Sequence, residues 1–277
     1  MWISQDVMDQ LHKVQLSMFK ELLDVMNKLN INYYFVHGSL LGAITRHDFI
    51  PEDDDIDIAI FRKDYDRLLL EGNSLLKDGL FIQSYLNDDF PLSFAKLRNC
   101  NTAFIQPILN EYDCNKGIYI DIFPIDYCLD NSLKCKAFKY IELLSSYRMT
   151  ARLSKKRKKK RNYIFSLLSK IIFPSYKRAA LVNNYLLSHR KPTEYVTVTN
   201  GKITERRLPI SWFGKGMKVD FCDINVNCPV RYSDYISQIY TKEYEDYNPA
   251  NERINKNNQV ELSCTILDFE KSYLDYK

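Results

Sequence analysis

The chain has 277 residues, of which 45% are hydrophobic and 13% aromatic, which is enough to bury a core and excludes a disordered chain. The 39 Lys and Arg side chains outnumber the 35 Asp and Glu side chains, leaving a net charge of only +4. So small an excess excludes a general nucleic-acid binder, and we expect no nucleic-acid partner.

Neither a membrane span nor a secretory signal is predicted. No window reaches the roughly 18 to 20 apolar residues of a spanning helix, and the first residues lack the basic and apolar regions of a signal peptide. We therefore expect the protein in the cytoplasm. The seven cysteines include no C-x-x-C pair, so we expect free thiols rather than disulfides or a zinc site.

Residues 1–130 alternate between helical and strand patterns. Apolar side chains at intervals of three and four predict a helix from about Ser4 to Leu29. A β-rich run at 32–37 leads to Gly38-Ser39, after which a second helix can begin. The other predicted elements of this half are a helix at 63–76 and strands at 56–60, 80–86, 93–98, 102–105 and 119–123.

Residues 131–277 have a different character. Helical patterns run from about 132 to 189 and are interrupted by seven consecutive basic residues, Lys155 to Arg161. The remainder is rich in Pro and Asn and contains one predicted helix near Ser233 to Tyr240. We therefore predict an α+β fold, with a mixed β-sheet flanked by helices in residues 1–130 and a helical, loop-rich elaboration in residues 131–277.

Four carboxylates lie within five residues of one another: Asp53, Asp54, Asp55 and Asp57. A solvated acidic loop is one interpretation. The alternative starts from the isoleucines that mark a buried strand here, because period-two alternation places Asp55 and Asp57 on one face. Two such carboxylates repel each other unless a cation lies between them, and Mg²⁺ prefers this kind of oxygen ligand.

Asp121 offers a third carboxylate on another apolar strand, Tyr119-Ile120-Asp121-Ile122-Phe123. An unpaired Asp is rare in a core strand, so Asp121 either joins the same cation site, pairs with an Arg or caps a turn. Gly38-Ser39 offers a close backbone approach and a hydroxyl at a helix start, which suits a phosphate. Taken alone, however, Gly-Ser before a helix is an ordinary N-cap.

This order of elements resembles the nucleotidyltransferase superfamily, and three blocks narrow the resemblance to the LicD family, which includes fukutin-related proteins. The blocks are HGSLLGAI at 37–44, FIPEDDDIDI at 49–58 and YIDIFPID at 119–126. Lys96-Leu97-Arg98-Asn99 and Thr102 extend the resemblance, and the segments at 212–213 and 232–253 extend it more weakly. Two positions depart from the family pattern: Glu52 stands in place of a Trp, and Thr45 interrupts the order Ala-x-Arg-His.

The resemblance implies transfer of a substituted phosphate from a CDP-linked donor, such as CDP-choline, to a hydroxyl of a glycan or lipid-linked glycan, with release of CMP. It implies that Asp55, Asp57 and Asp121 bind one or two Mg²⁺ or Mn²⁺ ions, and that Asp121 orients or deprotonates the acceptor. The residues expected to bind substrate are Gly38, Ser39, Arg46, His47, Asp53, Asp54, Lys96, Arg98 and Thr102.

Other interpretations of these residues stay open. Lys96 and Arg98 alternate on one strand and are expected to bind the diphosphate, unless they are surface charges. Arg46 and His47 are expected to contact the acceptor or the donor phosphate, although an exposed loop suits His47 equally well. The same aspartates also suit a true nucleotidyltransferase, which uses an NTP and releases pyrophosphate. A non-catalytic scaffold fits less well, because it has no reason to keep repelling carboxylates on buried strands.

The basic run is followed by a predicted apolar helix from Tyr163 to Phe173. A positive block next to such a helix is typical of an interfacial anchor on an anionic membrane. This pattern predicts peripheral contact with the inner face of the plasma membrane through Lys155 to Arg161 and the helix. The alternative is a charged loop followed by a core helix.

Overall fold

The computed structural model describes residues 1–129, 133–149, 160–199, 206–240, 254–255, 257 and 259–276. Within these residues, the helices are α1 (Gln5–Lys28), α2 (His37–Arg46), α3 (Arg62–Glu71), α4 (Leu133–Met149), α5 (Lys160–Ile172), α6 (Tyr176–Ser188) and α7 (Tyr232–Tyr240). The strands are β1 (Trp2–Ile3), β2 (Tyr34–Phe35), β3 (Asp57–Phe61), β4 (Leu80–Gln83), β5 (Ala95–Asn99), β6 (Ala103–Ile105), β7 (Tyr119–Tyr127), β8 (Tyr195–Val198), β9 (Leu208–Pro209), β10 (Met217–Phe221), β11 (Ile224–Cys228), β12 (Val260–Glu261) and β13 (Ile266–Asp268).

A mixed central sheet carries the fold, so the α+β prediction is confirmed. Its strand order is β2-β3-β7-β5-β4, and β8 and β9 extend it from β7. Strands β3 and β7 are parallel, whereas the other pairs are antiparallel. Because β8 and β9 come from the second half of the chain, both halves build this sheet. The division at residue 130 stays a prediction.

The predicted N-terminal helix is confirmed as α1, which buries an apolar stripe that includes Met8, Leu11 and Leu22. Two polar side chains, His12 and Gln15, lie on the same buried side. Both contact residues 53–57, which we call the acidic segment and describe below. None of the described helices is long and apolar enough to cross a bilayer.

The strand predicted at 102–105 exists as β6, but it pairs with β13 rather than with the central sheet.

The β10–β11 hairpin was not predicted. Its two strands are joined by Cys222-Asp223, and Cys222 has a φ of 52°. Tight hairpin turns are usually signalled by Asn-Gly or Asp-Gly, and the sequence here offers neither.

A buried ion pair joins α3 to the middle of the sheet. Arg62 donates from Nε and Nη2 to the two carboxylate oxygens of Asp126, at 2.7 and 2.8 Å. Thr199 Oγ1 donates to the same carboxylate. Burial alone would raise the pKa of Asp126, but the Arg62 charge and these hydrogen bonds outweigh burial, and the pKa is lower than usual.

We expect Asp126→Asn to destabilise the fold by about 3–5 kcal/mol, because it leaves the Arg62 charge buried without its partner. Since the pKa of Asp126 is lowered by folding, its contribution is present above its unfolded pKa of roughly 3.9 and lost as the pH falls further. Urea unfolding between pH 3 and pH 7 measures both effects. The control is Asp223→Asn, which removes an exposed ion pair with Lys20. Equal losses of unfolding free energy in both variants would contradict a stabilising role of the buried Arg62–Asp126 pair.

Candidate functional site

Three carboxylates converge at the start of β3. Asp57 is the first residue of β3, and parallel pairing sets it beside Asp121 on β7. Asp55 lies two residues earlier, and one carboxylate oxygen from each of the three residues lies within 4.8 Å of the others. The sequence pattern predicted this proximity from alternation along a single strand. That reason is wrong for Asp55, because the strand begins at Asp57 and Asp55 occupies a bend before it.

Burial and mutual repulsion both oppose ionisation of this cluster. The pKa of Asp55 and the pKa of Asp57 lie well above the usual range, first because of burial and then because of neighbouring carboxylates. Burial also raises the pKa of Asp121, although the ammonium of Lys96 partly offsets that effect. A site that gathers negative charge at this cost to the fold is typical of cation binding.

Lys96 is the cation nearest to Asp121. Antiparallel pairing of β5 and β7 places the two residues opposite each other, and the ammonium makes an ion pair with the Asp121 carboxylate. The same ammonium lies 3.4 Å from the centroid of the Tyr119 ring. Lys96, expected to bind a diphosphate, thus has a carboxylate partner inside the cluster.

The donor set fits a divalent metal. When ionised, the three carboxylates carry three negative charges, and the ammonium of Lys96 neutralises one of them. The remaining charge of about −2 matches one dication, and carboxylate oxygens are the ligands that Mg²⁺ and Mn²⁺ prefer. Asp55, Asp57 and Asp121 are therefore the residues that could hold the ion.

Arg98 and Thr102 have partners away from this cluster, in contrast to their expected role in substrate binding. Arg98 is fully buried and donates to Gln83 Oε1 and to the carbonyl of Gly117, both at 2.8 Å. Thr102 Oγ1 donates to the carbonyl of Asn99 and accepts from the amide of Ile118. Both side chains hold the chain around the end of β5 and the start of β7.

Gly38 and Ser39, expected to contact a phosphate, both contact the acidic segment. A Cβ atom at position 38 would collide with the carboxylate of Asp53, so only glycine allows this approach. An anion near the first turn of a helix is stabilised by the exposed amides and the helix dipole. Ser39 Oγ accepts a hydrogen bond of 2.8 Å from the amide of Asp57, so its hydroxyl proton points away from that amide.

Arg46 and His47 lie at the opposite end of α2 from Gly38 and Ser39. They are exposed at the end of α2, and eight residues separate Ser39 from His47, which is about 12 Å along a helix. His47 has a φ of 56° and its Nδ1 lies 3.4 Å from the carbonyl of Asp220. Their expected contact with the donor or acceptor stays a prediction.

The backbone of the acidic segment is bound by two residues of α1, His12 and Gln15. The sequence pattern did not single them out. His12 Nε2 donates to the carbonyl of Asp53, and Gln15 Nε2 donates to the carbonyl of Asp54, both at 2.8 Å. Gln15 Nε2 also lies 3.3 Å from the carbonyl of Tyr119 on β7. In the sequence, these two residues could have been found as polar residues inside the apolar stripe of α1.

The carboxylate of Asp54 points to another part of the chain. Ser263 Oγ donates to Asp54 Oδ2 at 3.0 Å, and Gln106 Nε2 lies 3.3 Å from the same hydroxyl. Gln106 also donates to the hydroxyl of Tyr119. The C-terminal segment therefore closes one side of the acidic segment.

A family described as "LicD/FKTN/FKRP, nucleotidyltransferase domain" matches residues 30–179, which is more than half of the chain and contains all three carboxylates. The chain belongs to the LicD family. Membership is the basis of the reaction class that is proposed below. The resemblance carried by the three sequence blocks is thereby confirmed.

Two relatives are similar to a short part of this LicD protein. Uncharacterized protein RP689 of Rickettsia prowazekii and uncharacterized protein RT0683 of Rickettsia typhi are each 40% identical to it over 47 residues. The match covers 17% of this chain, 18% of the first relative and 15% of the second. The chain thus spans less than a fifth of either relative.

Removing the support behind the acidic segment should weaken both stability and metal binding. We expect Gln15→Leu to cost about 2–4 kcal/mol of unfolding free energy, because it leaves two buried carbonyls without their donor. Gln10→Leu, the same change at an exposed position of α1, is the matched control. Chemical unfolding measures the first effect and titration calorimetry with Mn²⁺ the second. Unchanged stability in Gln15→Leu would contradict the role.

Removing one of the repelling carboxylates should have opposite effects with and without metal. In EDTA, we expect Asp57→Asn to raise the melting temperature by roughly 2–4 °C, equivalent to about 1 kcal/mol, because like charges no longer face each other. In excess Mg²⁺, the wild type should gain stability by mass action, whereas the variant should not. Differential scanning fluorimetry measures both. A variant still stabilised by Mg²⁺ would contradict the ligand assignment.

Proposed function

We propose that this LicD protein transfers a substituted phosphate from a CDP-linked donor to a hydroxyl of a glycan or lipid-linked glycan, and releases CMP. Family membership supports the reaction class. The single observation that carries the finer proposal is the convergence of Asp55, Asp57 and Asp121, whose carboxylate oxygens lie within 4.8 Å of one another. A phosphocholine-like group is one head group that such a donor would carry.

The carboxylates serve to hold one or two Mg²⁺ or Mn²⁺ ions. When bound, such an ion neutralises the charge of the diphosphate. The ammonium of Lys96 lies against the Asp121 carboxylate and partly offsets the rise in pKa that burial causes there. Asp53, near the first turn of α2, and Asp54, held by Ser263, support the segment that carries Asp55.

In this reaction the acceptor oxygen attacks the phosphorus atom that bears the head group. A bond forms between that oxygen and the phosphorus, and the bond from the phosphorus to the bridging oxygen of CMP breaks. The hydroxyl proton is transferred to a base, for which Asp121 is the proposed residue, and CMP leaves with the electron pair of the broken bond. Orientation of the two reactants accounts for most of the catalysis expected from these residues.

The family description also favours a second candidate, a nucleotidyltransferase that uses an NTP and releases pyrophosphate. The two candidates share the metal ligands but differ in their products. Incubation with Mg²⁺ and a glycan acceptor, in the presence of CDP-choline and other CDP-linked compounds or of CTP or ATP, separates them. We expect CMP from a CDP-linked donor. Pyrophosphate from an NTP, with no CMP from any CDP-linked compound, would overturn the proposal in favour of the second candidate.

We expect Asp57→Asn to lower CMP release by at least 1,000-fold while the protein stays folded, because phosphoryl transfer without metal neutralisation loses several kcal/mol of transition-state stabilisation. Circular dichroism checks the fold, and chromatography of the nucleotide products measures turnover. Asp24→Asn, an exposed aspartate of α1, is the matched control and should retain full activity. Near-normal turnover in Asp57→Asn would defeat the mechanism.

A further inference from the structure

The helical region has an extreme charge composition. From residue 143 to residue 193 the sequence contains fourteen Lys or Arg and no Asp or Glu. The run Lys155 to Arg161 accounts for half of these cations. Arg152 and residues 155–159 lie outside the described residues, and the other cations lie within or shortly after helices α4, α5 and α6. Any surface that this region contacts is therefore expected to be negatively charged.

Helix α5 carries apolar side chains both on its buried side and on its exposed side. Its inner side carries Phe165, which stacks on Tyr147 of α4 at 5.5 Å, and Ser169, which is buried. The outer side is aliphatic and solvent-facing. Its four members and their exposed fractions are Leu167 (52%), Leu168 (42%), Ile171 (73%) and Ile172 (53%). We call these four residues the outer row.

The end of α5 is fixed to the rest of the molecule. Phe173 is buried in a small cluster with Tyr85, Met149, Ala179 and Ala180. Arg148 of α4 donates from Nε to the carbonyl of Phe173 at 2.9 Å and from Nη2 to the carbonyl of Pro174 at 3.1 Å. The outer row therefore belongs to a docked helix, and its exposure does not come from an undocked segment.

Exposed cations lie close to the outer row in the sequence. Lys170 belongs to α5 itself, and Lys177 and Arg178 lie in the first turn of α6, which is separated from α5 by three residues. An aliphatic stripe bordered by Lys and Arg is the pattern of a helix that lies in the interface of an anionic bilayer. The aliphatic side chains enter the boundary between headgroups and acyl chains, while the cations contact the headgroups.

We propose that the outer row of α5, with the exposed cations Lys170, Lys177 and Arg178, docks this protein on an anionic membrane surface. Two other occupants fit less well. A nucleic acid would be met by aromatic side chains that stack on bases, whereas the outer row is wholly aliphatic. A second copy of the same surface would bring the exposed cations of two copies together, and residues 143–193 contain no Asp or Glu to compensate them. The proposal does not depend on the transferase reaction.

Vesicle flotation tests the proposal with the full chain. We expect binding to vesicles of phosphatidylglycerol and phosphatidylcholine in equal amounts, and none to pure phosphatidylcholine. Leu167→Ser/Ile171→Ser should weaken binding at least tenfold, and so should Lys170→Glu/Lys177→Glu/Arg178→Glu. The matched control, Leu70→Ser/Leu274→Ser, changes two leucines that are 78% and 53% exposed outside the helical region and should bind as the wild type.

Several results would overturn the proposal. One is wild-type flotation that does not depend on the anionic lipid, and another is unchanged binding by the outer-row variant. Binding of a double-stranded oligonucleotide without vesicle binding would assign the region to nucleic acid. A wild-type dimer that the outer-row variant converts to a monomer, again without vesicle binding, would assign the outer row to self-association. Circular dichroism of each variant shows that lost binding does not come from lost folding.

Discussion

The register of three neighbouring strands is the constraint on which the site depends. Parallel pairing places Asp57 of β3 beside Asp121 of β7, and antiparallel pairing places Lys96 of β5 on the other side of Asp121. A slip of one residue in any of these strands would turn one side chain to the opposite face and separate the charges. The apolar residues next to these charges in the strands, such as Ile58 and Ile122, are fully buried. A slip would be costly because it would move them from the core into solvent.

The surroundings of the site show how the fold tolerates concentrated negative charge. Helix α1 binds the backbone carbonyls behind the acidic segment, and the first turn of α2 lies against Asp53. Gly38 is needed there because a side chain would occupy the space of that carboxylate. These contacts hold the segment in position but do not remove the burial and the mutual repulsion that raise the pKa values of Asp55 and Asp57. Functional sites commonly retain such strain at the expense of stability.

The three carboxylates could be singled out from the sequence because each lies within or beside an isoleucine-rich strand, where an acidic residue requires a reason. The mixed sheet and α1 followed from hydrophobic periodicity. The partner of Lys96 could not be predicted, since it depends on the pairing of β5 with β7 across 25 residues of sequence. The separation of Arg46 and His47 from Ser39 could not be predicted either, since neighbours in sequence stand at opposite ends of a helix. The same holds for the partners of Arg98, because a buried guanidinium that binds carbonyls has the same sequence pattern as one that binds phosphate.

Diffraction from crystals grown with Mn²⁺, recorded at a wavelength where manganese scatters anomalously, tests most directly whether the three carboxylates hold a metal ion. We expect an anomalous peak at coordination distance from carboxylate oxygens of Asp55, Asp57 and Asp121, and its absence in crystals of Asp121→Asn. A manganese ion bound elsewhere, with no density among these three residues at saturating Mn²⁺, would show that they are not the metal site.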